Sequence, residues 1–410
     1  MKNLIIIALR NLFRNKRRTL LTTSLIAFGV ILVVVFGGLA ISFKSQMVGV
    51  LTNTVMGDLQ IHVKGYVESI DNQPLNLILS GAELAKIEKM LKNMPEIAAY
   101  SPRIKFGAMI SNYAQTSNIR LSAVYPEMEN RTVSGFVKRI KGDVPDPDQF
   151  LKPGEILVPE NLMKGLSLKT GDEIVLVATN KESSVNAVTL RIAAVTESVF
   201  GPSGKDGYIH IQDAQTLLRM DQPEVVEIAI HLHKFDKLSA VSLQLKKESA
   251  APDALFEVHT WEQLSPFASI ARIVDLLIFV VKFILITIVL VSILNIMTMS
   301  VYERISEIGT IAAIGTPPRR ILSLFLIEGF AMGLLSTIAG IVVGLVMLWV
   351  MNITKIDFTF GQMNVSLAPS IPTGEIVWLA VIVMLVSLFA GFQPAYKASK
   401  MEPVDALGHV

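Results

Sequence analysis

The chain has 410 residues, of which 51% are hydrophobic and 18% charged, and its mean hydropathy is +0.51. That is too apolar for a chain of this length in water and too charged for one lying wholly in a bilayer, so two environments are implied. A net charge of +2 says nothing for nucleic acid, because the basic residues are spent on membrane topology, and the absence of cysteine removes disulfide staples, thiol redox chemistry and cysteine-based zinc motifs.

Residues 1–18 carry Lys2, Arg10, Arg14, Lys16, Arg17 and Arg18 without an acid, and Ile5, Ala8, Leu9 and Leu12 recur at helical spacing. They read as an amphipathic helix on the inner leaflet of a membrane. Residues 19–43 are uncharged. The run far exceeds the apolar core of a signal sequence and continues into Lys44 without a small-residue cleavage site, so it reads as a retained transmembrane helix. Phe43, Met47, Val50, Leu51 and Val55 prolong the helical stripe to Gly57, which predicts a helix that does not stop at the bilayer surface.

Residues 44–272 are expected to form an extracytoplasmic domain large enough to hold itself together by apolar burial. Strand patterns at 59–63 and 98–109 flank an amphipathic helix at 81–93, and strands at 225–233 and 254–259 flank a helix at 235–247. Two β-α-β units at the ends of one segment predict a sandwich-like α+β subdomain whose halves come together. Between them, 154–158, 173–178, 188–196 and 208–211 are β-rich and punctuated by Gly and Pro, which predicts an inserted β subdomain. Residues 267–282 return to a helical pattern and, with the end of the first helix, suggest a paired-helix stalk.

Three more uncharged runs follow at 283–299, 329–354 and 376–396. The expected fold is a membrane α-helical protein with four transmembrane helices and a large extracytoplasmic α+β domain containing a β-rich subdomain. Its spans are 19–43, 273–300, 321–351 and 376–396, with a loop at 301–320, a short outer loop at 352–375 and a tail at 397–410. Arg304, Arg319 and Arg320 lie between the second and third spans, Lys397 and Lys400 follow the fourth, and Lys355 stands alone in the remaining loop. The positive-inside rule then places both termini and the 301–320 loop in the cytoplasm.

Candidate functional residues concentrate near the second and third spans. Ile305, Ile308, Ile311 and Ala312 form an apolar stripe, Arg304 and Glu307 can pair at i,i+3, and Gly315, Pro317 and Pro318 end the helix. Such a helix lies on a membrane surface or in a partner's groove. Gly329, Gly333, Thr337, Gly340 and Gly344 form a small-residue stripe suited to helix packing or dimerisation. Glu328 is expected to pair with an arginine rather than relay protons, and Lys282 to snorkel at the interface, apart from Asp275. His231 and His233 share a strand face without a third metal ligand nearby. Residues 201–205 (GPSGK) miss the spacing of a phosphate loop and read as a turn. No nucleophile with a base is evident, so no catalytic, cofactor-binding or metal-binding residues are assigned.

Arg304-x-x-Glu307-Ile308-Gly309, Ala313-Ile314-Gly315, Arg319-Arg320-Ile321 and Glu328-Gly329 resemble the signature block of FtsX-like ABC transporter permeases. Ala8 to Leu12 with Arg14, Arg17 and Arg18 at the start, and Pro394-Ala395, Ala398-Ser399-Lys400 and Pro403-Val404-x-Ala406-Leu407 at the end, agree with that family. The resemblance implies a MacB-type (type VII) permease subunit in a bacterial inner membrane, dimerising with a second copy or a paralogue. It also implies a separate cytoplasmic ABC ATPase carrying ATP and Mg, since no Walker segment is present. Tyr302, Arg304, Glu307, Ile308 and Ile311 would then couple to the ATPase, and the stalk would transmit its motion outward. The junction at 57–66 (GDLQIHVKGY) looks most like the lipoprotein-releasing LolC/LolE branch. On that reading Phe43, Met47, Val50, Phe267 and Ile270 are candidate cargo-facing stalk residues for lipoproteins or other amphipathic cargo, although stalk packing accounts for the same positions. A periplasmic adaptor or carrier would be a further partner. The alternatives are a MacB-like efflux permease working with an adaptor and outer-membrane duct, and an FtsX-like regulator of a cell-wall hydrolase.

Overall fold

The computed structural model describes residues 10, 16–142, 144–197, 204–251, 254–265, 267–354, 356–360 and 363–402. Most of the expected N-terminal helix, the turn at 201–203 and the motif from residue 403 onward lie outside the described residues. The chain divides into two compact units, one formed by residues 1–44, 271–356 and 366–410, the other by 45–270 and 357–365.

Helix α1 (Lys16–Leu51) runs into a π-helical turn, Thr52–Met56, and from there through Gly57 into β1 (Leu59–Val63). Gly57 has φ of 73°, and a Cβ there would lie 2.8 Å from the Ile230 carbonyl oxygen, so both conformation and space demand glycine. Next come α2 (Gly81–Lys92), opened by a Ser80–Glu83 capping box, and β2 (Ile97–Ser111). The chain continues through β3 (Thr116–Val124), α3 (Pro126–Thr132), β4 (Ile140–Lys141), β5 (Glu155–Pro159) and α4 (Glu160–Gly165). Then follow β6 (Glu173–Thr179), β7 (Val185–Thr196), β8 (Asp206–His210) and α5 (Ile211–Leu218). It closes with β9 (Glu227–Leu232), α6 (Leu238–Ser249), β10 (Phe256–Thr260) and the short α7 (Trp261–Leu264).

Strands β10-β1-β9-β2 lie side by side, antiparallel throughout. The two β-α-β units therefore interleave in one ferredoxin-like split sheet, which brings the two ends of the segment together in one α+β subdomain as expected. The sequence had no strand at 116–124. In the structure β3 is the key to the inserted subdomain: pairing runs β2-β3-β8-β5-β7-β6 and returns to β2, closing a ring. Strand β2 serves both parts, pairing with β9 up to Arg103 and with β3 from Arg103 onward. Beyond that point Ile104, Phe106, Ala108 and Ile110 are buried at every second position, as are Ile119, Leu121 and Ala123 on β3.

The helical unit adds α8 (Ala268–Glu303), α9 (Ile305–Ala313), α10 (Pro318–Thr354) and, after the β11 (Ile356–Phe360) and β12 (Met363–Leu367) hairpin, α11 (Thr373–Ser399). Part of the expected outer loop at 352–375 is thus helix and hairpin. Among the described residues four helices are long and apolar enough to cross a membrane. Leu285, Val289, Ile293, Met297 and Val301 of α8 recur every fourth residue and pack with Ile26, Val30 and Val34 of α1, Phe325 and Met332 of α10, and Leu379 and Val383 of α11. Both α1 and α8 are 36 residues long, about 54 Å at 1.5 Å per residue, against a hydrocarbon core of about 30 Å. Each therefore extends well beyond the span read from the uncharged runs.

Candidate functional site

Helix α8 breaks at Arg304, whose φ of −116° and ψ of 17° leave the helical region. The next residue starts α9, a helix ended by Gly315 at φ +94°. There Thr316 N–H donates to the Ile311 carbonyl and Gly315 N–H to the Ala312 carbonyl, a Schellman closure that only a left-handed residue completes. Pro318 then opens α10, and the three elements form a tight corner.

Arg304 points inward. It is 6% exposed, and its Nη1 donates to Glu328 Oε2 at 3.4 Å, while Glu328, on α10, is 4% exposed. The pairing of Glu328 with an arginine is as the sequence suggested. The role of Arg304 at a partner surface is corrected: its guanidinium clasps α10 to the start of α9, with Nε 4.0 Å from Glu307 Oε2. Ile308 is corrected likewise, because it packs into the helical core with Val301 and Ile321. Tyr302 belongs to the last turn of α8 rather than to α9. Among the residues that α9 and its C-cap expose are Glu307, Ile311 (41% exposed) and the cap itself, Ile314 (80% exposed), with Tyr302 before them in sequence. Ile314 was absent from the coupling set read from the sequence, and its place after the apolar stripe was the available signal.

The glycine stripe on α10 receives two helices of the same chain. A Cβ on Gly333 would lie 2.7 Å from Ser387 Cβ on α11, and Gly329 faces Ser387 and Gly391 there. Further along, a Cβ on Gly340 would lie 2.6 Å from Val30 Cβ, and one on Gly344 2.8 Å from Val34 Cγ1, both on α1. The close approach is intrachain packing.

Lys44 on α1 pairs with Asp275 on α8 at 2.7 Å, and Lys282 on α8 pairs with Glu375 on α11 at 2.5 Å. Lys282 is therefore tied to another helix instead of snorkelling alone. Ser42 and Ser370 exchange hydrogen bonds, with Ser370 N–H donating to Ser42 Oγ at 2.8 Å. Of the candidate cargo-facing residues, Met47 is 1% exposed and belongs to the chain's own interior, which corrects that assignment. Phe43, Val50 and Phe267 are half-buried, and Ile270 is exposed. His231 Nδ1 lies 3.0 Å from Asp58 Oδ2, and His233 is exposed.

The α+β unit holds an ionic cluster that sequence reasoning missed. Arg103 Nε donates to Glu129 Oε2 at 2.9 Å, with Nη2 2.8 Å from Oε1, and Nη1 donates to Glu227 Oε1 at 2.9 Å. Lys105 Nζ approaches the other Glu227 oxygen to 2.8 Å and His62 Nε2 to 3.5 Å. Burial works to raise the pKa of Glu227, but Lys105, His62 and Arg103 outweigh it and hold the carboxyl well below its ordinary range. Burial alone would weaken the Arg103 charge; Glu129 and Glu227 reverse that and fix it as a cation.

Residues 19–254 match the MacB-like periplasmic core domain family, and residues 279–403 the FtsX-like permease C-terminal family. The chain is 23% identical to the lipoprotein-releasing system transmembrane protein LolC of Neisseria meningitidis serogroup B, covering 98% of both chains. It is 24% identical to LolE of Haemophilus influenzae over 78% of this chain and 80% of that one. A segment covering 28% of this chain and 16% of the relative is 36% identical to the macrolide export ATP-binding/permease protein MacB of Vibrio parahaemolyticus. Among solved structures, the periplasmic region of MacB from Actinobacillus actinomycetemcomitans aligns with a TM-score of 0.35 and 11% identity, over 56% of this chain and 95% of that one.

Proposed function

The chain belongs to the permease family that joins a MacB-like periplasmic core domain to an FtsX-like C-terminal domain, and from that membership we propose that it couples a separate ABC ATPase to release of lipid-anchored cargo. Both termini and α9 face the cytoplasm of a bacterial inner membrane, and the α+β unit faces the periplasm. ATP and Mg belong to the ATPase, and this chain performs no chemistry of its own. A second copy or a paralogue completes the permease pair.

The observation that carries the ATPase coupling is the division of α9. Arg304 and Ile308 fix the helix to α10 and the core, so a push on the exposed Glu307, Ile311 and Ile314 is borne by the helical unit instead of being lost in a loose loop. Full-length similarity to LolC, of a lipoprotein-releasing system, supports lipoproteins as cargo. In the test, the chain is purified with its ATPase. An I311D/I314D variant should lose the association while keeping the fold. An ATPase that binds and responds equally to both forms overturns the coupling assignment. For cargo, ATP should drive a lipid-anchored reporter out of spheroplasts. Joining the α8 helices of two permease copies through introduced cysteines should stop release without stopping ATP binding. The MacB-like segment supports efflux as the second reading, and release that demands an adaptor and outer-membrane duct would favour it.

A further inference from the structure

A helix leaves its last carbonyls without partners of its own. At the end of α1 five in a row are met. The Thr52 carbonyl accepts from Gly57 N–H at 3.0 Å and the Asn53 carbonyl from Gly135 N–H at 2.8 Å. The Thr54 carbonyl accepts from Arg139 Nη1 at 3.1 Å, the Val55 carbonyl from Arg103 Nη1 at 2.8 Å, and the Met56 carbonyl from Gln60 Nε2 at 2.8 Å. Both arginines are buried, at 1% and 3% exposure. Arg103 stands where β2 passes from the split sheet to the ring, and the Glu129 and Glu227 carboxylates lock it. Arg139 precedes β4; its Nε and Nη2 donate to the Glu197 carbonyl, and it lies over Phe136 and Tyr208. Two cations at the C-terminal end of a helix are also on the favourable side of its dipole.

We propose that this socket is a rigid joint, in which residues 52–56, Arg103 and Arg139 act as positioning residues that hand displacement of α1 to the split sheet and the ring together. The proposal rests on the transmission reading above and gives it a location. Packing alone lets a helix slide or turn by part of a side chain. Successive carbonyls held by directional bonds near 3 Å do not slip without breaking several at once. Because one arginine is anchored at the sheet–ring boundary and the other beside the ring, neither part moves without the helix.

Gly135 provides a way to press on the socket without removing a charge. A Cβ there would lie 2.7 Å from Thr54 Cγ2 and 3.0 Å from the Asn53 oxygen. Gly135→Ala should push the turn outward, and adding Thr54→Ser removes the clashing methyl while keeping the hydroxyl that donates to the Val50 carbonyl. The sequence contains no cysteine, so Ser45→Cys on α1 and Lys89→Cys on α2, both exposed, can carry spin labels in the full-length chain in nanodiscs. The distance distribution should be narrow in the unmodified background, clearly broader with G135A or R139Q, and narrow again with G135A/T54S. Equal widths in all four overturn the joint. A fluorophore at Tyr113→Cys should respond to ATP and vanadate in the complex with the ATPase. G135A should lose that response with ATP hydrolysis preserved, and a retained response also overturns the proposal. If the unmodified chain never responds to nucleotide, the transmission reading falls instead, and the widths alone decide the joint.

Discussion

Replacing Arg103 with methionine tests how much of the α+β unit hangs on one buried charge. Glu129 is 1% exposed and loses its bidentate guanidinium, whereas Glu227 keeps Lys105 at 2.8 Å and His62 at 3.5 Å. Removing one partner of a buried ion pair costs about 3–5 kcal/mol. At about 2–4 °C per kcal/mol for a unit of this size, the unfolding midpoint should fall by roughly 6–20 °C. Glu129→Met leaves Arg103 with Glu227 and should cost less, about 1–3 kcal/mol. The double variant R103M/E129M no longer strands an acid, so it should be more stable than R103M and give a coupling energy of about 2 kcal/mol or more. The assay is thermal unfolding of the full-length chain in nanodiscs, followed by Trp261 fluorescence after Trp349 and Trp378, both on membrane helices, are changed to Phe. A midpoint for R103M within about 2 °C of the unmodified chain, or a double variant that loses the sum of the two singles, refutes the reasoning.

At the coupling corner, Glu307→Gln should lower ATPase stimulation about threefold without moving the denaturation midpoint, whereas Arg304→Met should lower both because it breaks a buried contact. Equal midpoints for the two would refute the inward role of Arg304. Gly340→Ala drives a Cβ against Val30 and should destabilise the helical unit by about 1–3 kcal/mol. Gly391→Ala, with nothing within 4 Å of the new atom, should be neutral or stabilising by up to about 1 kcal/mol, both variants being measured by unfolding the chain from mixed micelles with SDS. Acidification should destabilise the α+β unit in two steps. Burial, opposed by Asp213, lowers the pKa of His210, so the unfolded chain takes up a proton first and stability drops as pH falls below about 6.5. Glu227 is held below its ordinary range, so its contribution is full above about pH 4.5 and is lost as pH falls through its folded value. His210 caps α5 by accepting from Gln212 N–H, a bond that Asn can also make, so His210→Asn should shrink the drop in midpoint between pH 7.5 and 5.5. An unchanged drop would remove His210 from the account.

The four spans were legible because a long stretch without charge is poorly solvated by water and well accommodated by a bilayer. The two β-α-β units were legible because their periods change from 2 to 3.6 within a few residues. Strand β3 carried the same signal: Ile119, Leu121 and Ala123 alternate with polar residues and Pro126 closes the run, but no Gly or Pro marks its start between Ala108 and Thr116. Ring closure was beyond reach, since β6 pairs with β2 across more than sixty residues and nothing local encodes that partner. The stripe on α10 was visible, yet its two partners were not. Spacing shows that a helix approaches, and only the fold shows that α11 meets Gly329 and Gly333 while α1 meets Gly340 and Gly344.

Charged residues were the least legible, for a physical reason that applies to Arg304 and Arg103 alike. A charge in sequence is ordinarily read as solvated, because burying it alone costs more than a fold can spare. Arg304 is buried against a carboxylate 24 residues away, and Arg103 against carboxylates 26 and 124 residues away. The buried partner thus lies outside the local window, even where, as with Glu307 beside Arg304, an exposed acid stands inside it. In both places the buried arginine joins elements that must move as one: α9 with α10, and the end of α1 with β2 and β9. An arginine spans such a joint because its guanidinium donates to several acceptors at once in a fixed plane. A lysine at either position could satisfy the charge but not the geometry. Arg304→Lys and Arg103→Lys should therefore each retain the net charge of their unit and still lose coupling between the elements they join.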